Sequence, residues 1–179
     1  MTQVGSVYGE ALYELAKSEG LQEHILEELK ALNESFRQEP GFIQLLSSHA
    51  ISKQERCKVL DDSFRGKIDQ YVLNFLKILT EKGYMHHFSH CCEAYTRLYN
   101  EDNNILSVRA VTAVSLTEPQ FQALTQKLTR LTGKTILLEN RVDPTCLGGV
   151  RLDYDGQRLD DTISHRLDSV RELLKNTVL

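Results

Sequence analysis

Three histidines and two cysteines crowd into one segment of seven residues, His86-His87-Phe88-Ser89-His90-Cys91-Cys92. On a helix, His86 and His90 share a face at a spacing of four residues, as do His87 and Cys91, so either pair could supply two ligands to zinc. Structural zinc sites use four protein ligands and catalytic sites usually use three. The segment, called the His/Cys segment below, therefore does not predict a metal site. A metal- or redox-responsive protein stays open as an alternative.

A second candidate, Gly133-Lys134-Thr135, resembles the end of a phosphate-binding P-loop. The full motif needs another glycine five residues before Gly133, where this chain has Leu128. A P-loop also follows a strand and opens a helix, whereas this segment ends a helical pattern and opens a strand pattern. We interpret Gly133 as a helix C-cap. A nucleotide-binding enzyme is the weaker alternative, which would need measurable ATP affinity.

Other patterns that carry catalysis are missing from the sequence. There is no GxSxG nucleophile elbow, and no serine or cysteine stands in a recognisable pattern with histidine and aspartate. Asp160 and Asp161 could form an acid/base or metal pair, but just before a predicted helix they are better explained as caps. The four cysteines show no CxxC spacing, so we expect free, mostly buried thiols. We predict no catalytic, cofactor or metal site.

The composition is that of a folded protein, with 41% hydrophobic and 26% charged residues in a chain of 179. A net charge of -4 gives no general attraction to nucleic acid or anionic lipid. The apolar runs are far shorter than the ~20 residues that span a bilayer, and the N-terminus lacks a signal-peptide pattern. We expect a cytoplasmic protein, mature from Met1, without a nucleic-acid partner.

Residues 1–104 are predicted to form about six helices in series. Apolar residues recur at helical spacing, and glycine or proline marks the ends of segments, as at Pro40-Gly41 and Gly83. Ser52 and Glu55 stand at capping-box spacing and begin a further helix. Short turns between such helices are typical of a compact helical bundle.

After the polar run Glu101–Asn104, the apolar period changes from 3.6 to 2, which indicates a strand. Its apolar residues are Leu106, Val108, Ala110 and Val114. A helix capped by Thr117, a second strand, and a hairpin turning at Asp155-Gly156 follow. The pattern ends with a closing helix capped by Asp161 or Thr162.

The charges support a division at this point. Residues 1–104 hold 11 basic and 16 acidic residues, whereas residues 105–179 hold 10 and 9. We therefore expect two domains with different partners. The predicted fold class is α+β: an N-terminal six-helix bundle in 1–104, then a small C-terminal α/β domain in 105–179.

The predicted helix from Asp69 to Lys82 is more apolar than a small bundle requires. It carries two stripes, Ile68, Val72, Phe75, Leu76 and Leu79, and Tyr71, Phe75 and Ile78. A second apolar face is explained either by central burial or by a groove that receives a partner helix. The residues by themselves leave both explanations open.

Motifs along the whole chain resemble the ATP synthase delta subunit family, which includes the mitochondrial oligomycin-sensitivity-conferring protein. The segment from Tyr8 to Ala16 is similar to the family's YAxALFxxA start, and Asn74 to Leu79 to its NFLKLL helix. The C-terminal matches are Val142-Asp143-Pro144, Leu147-Gly148-Gly149-Val150, Asp155-Gly156 and Leu159-Asp160. Gly9 departs from the pattern, since the family often has alanine there.

The resemblance implies a non-catalytic stator subunit of a rotary F-type ATP synthase, without cofactors. In the family, a groove between the first and fifth helices binds the N-terminal segment of the alpha subunit, and the C-terminal domain binds the C-terminus of the b subunit. The implied groove lining is Tyr8, Ala11, Leu12, Leu15, Phe75, Ile78 and Leu79.

The implied stalk-binding domain includes Gly149 and Leu167. The family resemblance favours a groove as the explanation of the second apolar face on the helix from Asp69 to Lys82. We expect Leu12→Asp to weaken binding of the alpha segment while the bundle stays folded. The expected location is the cytoplasmic face of the bacterial cell membrane, where the protein is held only through the complex.

Overall fold

The computed structural model describes residues 3–48, 50–154, 156–160 and 162. The chain divides into two compact units, with the boundary between Tyr99 and Asn100. The first unit is helical, and the second is built on a four-stranded sheet, so the predicted α+β class is confirmed. Within the described ranges, no helix combines the length and the apolar character needed to cross a bilayer.

Six helices belong wholly or largely to the first unit. They are α1 (Gln3–Glu19), α2 (Gln22–Gln38), α3 (Pro40–Ser47), α4 (Lys53–Phe64), α5 (Gln70–Lys82) and α6 (Phe88–Asp102). A 3-10 turn at Met85–His87 leads into α6. The described residues contain seven α-helices in all, and α3 has only eight residues. Six helices of unequal length therefore lie wholly or largely in the first unit, and the seventh lies in the second unit.

Local signals in the sequence set the helix ends. The Ser52 hydroxyl accepts from the Glu55 N–H at 3.2 Å, and the Glu55 carboxylate accepts from the Ser52 N–H at 3.1 Å. This confirms the predicted capping box at the start of α4. α5 begins after Asp69, whose carboxylate accepts from the Tyr71 N–H at 2.7 Å, and it ends at Gly83.

One apolar core fills the first unit. The Phe36 ring centroid lies 5.1 Å from that of Phe88 and 5.5 Å from that of Phe42. Tyr13 of α1 meets Tyr95 of α6 edge to face at 5.2 Å. Each fully buried apolar side chain contributes about 1.5–3 kcal/mol. The shared core therefore fixes the positions of helices that are distant in sequence.

α1 and α6 approach each other closely at Gly9. A methyl group at this position would lie 2.6 Å from the Cys91 carbonyl oxygen and 2.7 Å from the Ala94 Cβ. The carbonyl belongs to the backbone of α6, so it cannot rotate away as a flexible side chain would. The glycine that departs from the family's alanine is therefore what permits this crossing.

The second unit is a mixed sheet with the strand order β2-β1-β3-β4. Its elements are β1 (Ile105–Thr112), α7 (Glu118–Thr132), β2 (Thr135–Val142), β3 (Val150–Tyr154) and β4 (Gln157–Asp160). β1 and β2 are parallel and joined through α7, whereas β3 runs antiparallel to β1 and β4. The predicted capping box of Thr117 and Gln120 opens α7.

The two faces of this sheet differ in character. Leu106, Val108 and Ile136 form a small core on which Leu128 of α7 packs. Successive residues of a strand point to opposite faces, so the other face carries Arg109, which pairs with a β2 glutamate at 3.1 Å. One face is therefore apolar and covered by a helix, and the other is charged.

The ends of the second unit differ in part from expectation. The prediction that Val114 belongs to the first strand is wrong, because β1 ends at Thr112 and Val114 is 74% exposed. The Thr112 hydroxyl donates to the Val114 carbonyl at 2.7 Å, which turns the chain away from the sheet. The predicted closing helix lies outside the described residues, and so does Asp155 of the predicted turn.

Candidate partner-binding surface

α1 presents two different faces. Its inner face, which includes Gly9 and Leu12, is buried in the core. Its outer face carries Val7, Ala11 and Leu15 at intervals of four residues, which places them in one row. Val7 is 58% exposed, Leu15 is 39% exposed, and Ala11 is exposed as well. These three residues, called the α1 row below, form an apolar strip on the surface.

α5 is buried on two sides and exposed on a third. Its buried residues are Val72, Leu73, Phe75, Leu76, Leu79 and Thr80. Ile78 is 45% exposed, and Tyr71, two turns earlier, is half-buried. The second apolar stripe seen in the sequence is therefore split, because Phe75 belongs to the core and Ile78 to the surface.

An aromatic contact connects α1 with the end of α5. The Tyr8 ring stands edge to face with the Tyr84 ring at a centroid distance of 5.9 Å. Tyr84 follows the Gly83 cap directly, and its N–H donates to the Leu79 carbonyl at 2.7 Å. This bond holds Tyr84 against the last turn of α5. Tyr8 of α1, half-buried against the core, is thus in contact with the residue that follows the cap of α5.

The seven residues of the predicted groove lining occupy two layers. The buried layer, with exposed fractions of 6% or less, is Leu12, Phe75 and Leu79. The layer that reaches the surface is Tyr8, Ala11, Leu15 and Ile78. A partner can touch the second layer directly, whereas the first supports it from below. Val7 is missing from the predicted lining, although its spacing of four residues from Ala11 was a usable signal.

The cysteines of the His/Cys segment lie inside the helical unit. Cys91 and Cys92 are both buried, and the Cys92 Sγ lies 3.9 Å from the Leu29 carbonyl oxygen. Burial raises the pKa of the Cys91 thiol to about 11 and also raises the pKa of Cys92. A buried thiol with a raised pKa is a poor nucleophile and a poor metal ligand near neutral pH. This environment disfavours the redox or metal alternative for these cysteines.

The three histidines, called the histidine cluster below, meet at the junction of α5 and α6. The ring centroids of His86 and His87 are 3.9 Å apart, and those of His87 and His90 are 6.1 Å apart. Burial lowers the pKa of His87, and the neighbouring imidazoles lower it further. In the part of the chain that the structure describes, no three histidine, cysteine or acidic side chains are arranged to hold a metal ion.

Two other candidates from the sequence have structural roles. Gly133 ends α7 with a φ of +68°, and its N–H donates to the Thr129 carbonyl at 2.8 Å, which confirms the C-cap interpretation. The Asp160 carboxylate accepts from the N–H of Thr162 at 3.0 Å and from its hydroxyl at 2.6 Å. Asp161 lies outside the described residues. Gly133 therefore stands at the end of a helix, whereas the glycine of a P-loop stands at the start of one.

Gly149 leads into β3 with a φ of +82°, a conformation that glycine adopts without steric penalty. A role for Gly149 in contacting a stalk protein stays a prediction. Leu167, the other residue predicted for this contact, lies outside the described residues.

Comparison with known proteins gives one family over nearly the whole chain. The family model described as ATP synthase delta (OSCP) subunit matches residues 4–174. The chain is 32% identical over 176 residues to ATP synthase subunit delta of Alkaliphilus oremlandii, covering 98% of each chain. It is 29% identical to ATP synthase subunit delta of Clostridioides difficile, covering 98% of this chain and 97% of that relative.

A solved structure shares the fold. One chain of the cryo-EM structure of the Toxoplasma gondii mitochondrial ATP synthase hexamer superposes with a TM-score of 0.79. The match covers 97% of this chain and 98% of that chain, at 20% sequence identity. The likeness therefore extends over the helical unit and the sheet unit.

Proposed function

The chain belongs to the ATP synthase delta (OSCP) subunit family, and we propose that it is a stator subunit of a rotary F-type ATP synthase. It links the catalytic head to the peripheral stalk and has no active site of its own. The observation that carries the proposal is the α1 row, together with Ile78 on α5. Apolar side chains that remain outside a complete core are typical of a surface that binds another protein.

The partner of this surface is the N-terminal segment of the alpha subunit, bound as an amphipathic helix. Such a helix presents apolar residues at intervals of three and four, which matches the spacing of the α1 row. Each apolar side chain that becomes buried contributes about 1.5–3 kcal/mol. Several such contacts offset the cost of ordering the segment and leave a stable complex.

Acidic residues beside the α1 row indicate the charge of the partner. Glu10 and Glu14 each directly precede a member of the row and are exposed. The Glu10 carboxylate lies 3.5 Å from the Arg97 guanidinium, across from α1 on α6. The first 104 residues as a whole carry an excess of acidic residues. A partner segment with basic residues on its polar face therefore fits this surface best.

The proposed work of the protein is mechanical. Rotation of the rotor exerts torque on the catalytic head, so the link that holds the head must dissociate slowly. α1 is held against α6 by the close crossing at Gly9 and by the contact between Tyr13 and Tyr95. Force on the outer face of α1 is thus transmitted to a packed core, which resists deformation.

The second unit is the proposed site for the C-terminus of the b subunit in the stalk. Its charged sheet face carries a depression of roughly 790 Å³, lined in part by Arg109, Glu139, Asp153 and Arg158. The assignment is to the unit as a whole, including Gly149 and Leu167. In the assembled complex the protein would lie at the cytoplasmic face of the bacterial membrane, attached through its partner subunits.

Calorimetric titration with a peptide of the alpha-subunit N-terminus from the same organism tests the proposed surface. The proteins compared are wild type, Leu15→Asp and Ile78→Asp. Both side chains are exposed, so the substitutions leave the core intact and place a charge in the proposed contact. Loss of one apolar contact corresponds to roughly 10- to 150-fold weaker binding.

Leu131→Asp is the matched control, because Leu131 is also an exposed leucine on a helix but lies on α7 of the second unit. We expect it to bind the peptide with wild-type affinity. Equal binding by all four proteins, or binding by none, would show that this surface is not the alpha-subunit site. Co-purification of alpha and b subunits with the tagged protein from solubilised membranes tests the wider stator role separately.

A further inference from the structure

The histidine cluster lies at the N-terminus of α6, which is the positive end of the helix dipole. His86 and His87 form the 3-10 turn that leads into this helix, and His90 lies in its first turn. The first turn contains no acidic residue. A helix N-terminus carries partial positive charge, so the helix dipole disfavours added positive charge at this turn.

Contacts within the histidine cluster add to this effect. A second positive charge would stand next to the first, since the His86 and His87 rings are only 3.9 Å apart. The His90 Nδ1 is buried and has no hydrogen-bond partner among the described residues. Burial also lowers the pKa of His87.

The elements packed around the turn offer little compensating charge. α3 contacts the turn and contains no ionisable residue. α5 also contacts it and contributes Glu81 and Lys82, of opposite sign, in its last turn. Glu93 follows on α6. Among these described groups, the charges that act on His87 are those of His86 and His90.

The cluster is connected to the proposed binding surface through two aromatic contacts. The His87 ring lies 6.1 Å from the Tyr84 ring, and the Tyr84 ring lies 5.9 Å from the Tyr8 ring of α1. The N–H of Tyr84 also donates to the Leu79 carbonyl, which holds Tyr84 against the last turn of α5. A displacement of the turn would therefore reach both helices that carry the surface.

We propose that the histidine cluster makes the junction of α5 and α6 sensitive to pH, so that acidification loosens the turn, separates Tyr84 from Tyr8 and weakens binding of the partner segment. The unfolded chain binds a proton on His87 below about pH 6.5, whereas in the folded chain burial and the neighbouring imidazoles lower the pKa of His87. Stability is consequently present above that pH and is lost as the pH falls below it. The effect on the partner rests on the proposed function, but the effect on the junction does not.

Thermal unfolding of the full chain at about pH 7.5 and about pH 5.5 tests the junction directly. The proteins compared are wild type, the triple variant H86Q/H87Q/H90Q, and His86→Gln alone. His86 is exposed, so its single substitution removes one neighbouring charge without disturbing the core. We expect the wild type to lose about 2–4 °C more on acidification than the triple variant, with His86→Gln in between.

His24→Gln is the matched control, because it removes an exposed imidazole that pairs with Glu28 at 3.3 Å, away from the cluster. Acidification should lower its melting temperature by as much as that of the wild type. The hydrogen-exchange protection factors of the segment 84–92 should fall in acid in the wild type and His24→Gln, and fall less in His86→Gln. If acidification lowers the melting temperature and the exchange protection by the same amounts in His86→Gln and in the wild type, the proposal is overturned, whatever the triple variant does.

Calorimetry with the alpha-subunit peptide at the same two pH values separates the two proposals. Both proposals are supported if the wild type binds the peptide at neutral pH and more weakly in acid, and if His86→Gln loses less affinity in acid. Absence of binding at neutral pH refutes the proposed surface, and the unfolding measurements then decide the junction by themselves. Binding that weakens equally in the wild type and His86→Gln refutes the link from the cluster to the surface.

Discussion

At Gly9, two opposing effects on stability can be separated by one substitution. Alanine is favoured over glycine within a helix by roughly 1 kcal/mol. Here the added methyl group would lie 2.6 Å from the Cys91 carbonyl oxygen, so α1 and α6 would have to move apart. Overpacking of this kind typically costs about 1–3 kcal/mol. We expect Gly9→Ala to lower the free energy of unfolding, measured by urea denaturation with circular dichroism.

Gly41→Ala provides the control for this substitution. Gly41 lies in α3, where an added methyl group would meet no atom within 4 Å. We expect it to be neutral or to raise the free energy of unfolding by up to about 1 kcal/mol. If Gly9→Ala stabilised the protein as much as Gly41→Ala, the close crossing of α1 and α6 would be contradicted.

Single residues were predictable from the sequence where their role is local. Gly133 could be assigned as a C-cap because the helical pattern before it and the strand pattern after it lie in the same short segment. The requirement for glycine at position 9 could not be predicted, since it depends on the backbone of Cys91, 82 positions further along the chain. Burial of the cysteines was expected from their chemistry rather than from any contact.

On α1, two leucines less than one turn apart are expected to respond differently to the same change. Leu12 is 4% exposed and belongs to the core, so a carboxylate there would be buried without a partner. We expect Leu12→Asp to destabilise the first unit by more than about 3 kcal/mol and Leu15→Asp by no more than about 0.5 kcal/mol. Thermal and urea unfolding of the two variants provide the comparison.

The burial of Leu12 in the core argues against the sequence-based expectation that Leu12→Asp leaves the bundle folded. Leu12 stands at the leucine of the family motif and Leu15 at one of its variable positions, and the motif does not state which of the two points inward. Similar losses of stability in the two variants would show that the inner and outer faces of α1 are assigned incorrectly.

Signals that act within one element predicted that element well. The capping boxes at Ser52 and Thr117 are contacts over three residues, so they were visible in the sequence. The orientation of α5 was not predictable, because its two apolar stripes compete and the neighbouring helices decide which is covered. The strand order β2-β1-β3-β4 also depends on pairing between distant segments.

At the scale of the whole molecule, we propose that the protein works by holding its partners. The helical unit has a complete core and still leaves the α1 row and Ile78 at the surface. The sheet unit has a charged face and a small core of its own. Two units with such different surfaces are suited to two different partners, as a link between head and stalk requires.

Proton-driven ATP synthesis in membrane vesicles stripped of this subunit tests that claim most directly. Wild-type protein, Leu45→Asp and the double variant L15D/I78D are each added back, and both ATP synthesis and retention of the catalytic head are measured. Leu45, 37% exposed on α3, lies outside both proposed binding sites. We expect the wild type and Leu45→Asp to restore both, and the double variant, although folded, to restore neither. Full ATP synthesis with a retained head in vesicles that received no subunit, or only the double variant, would contradict the account.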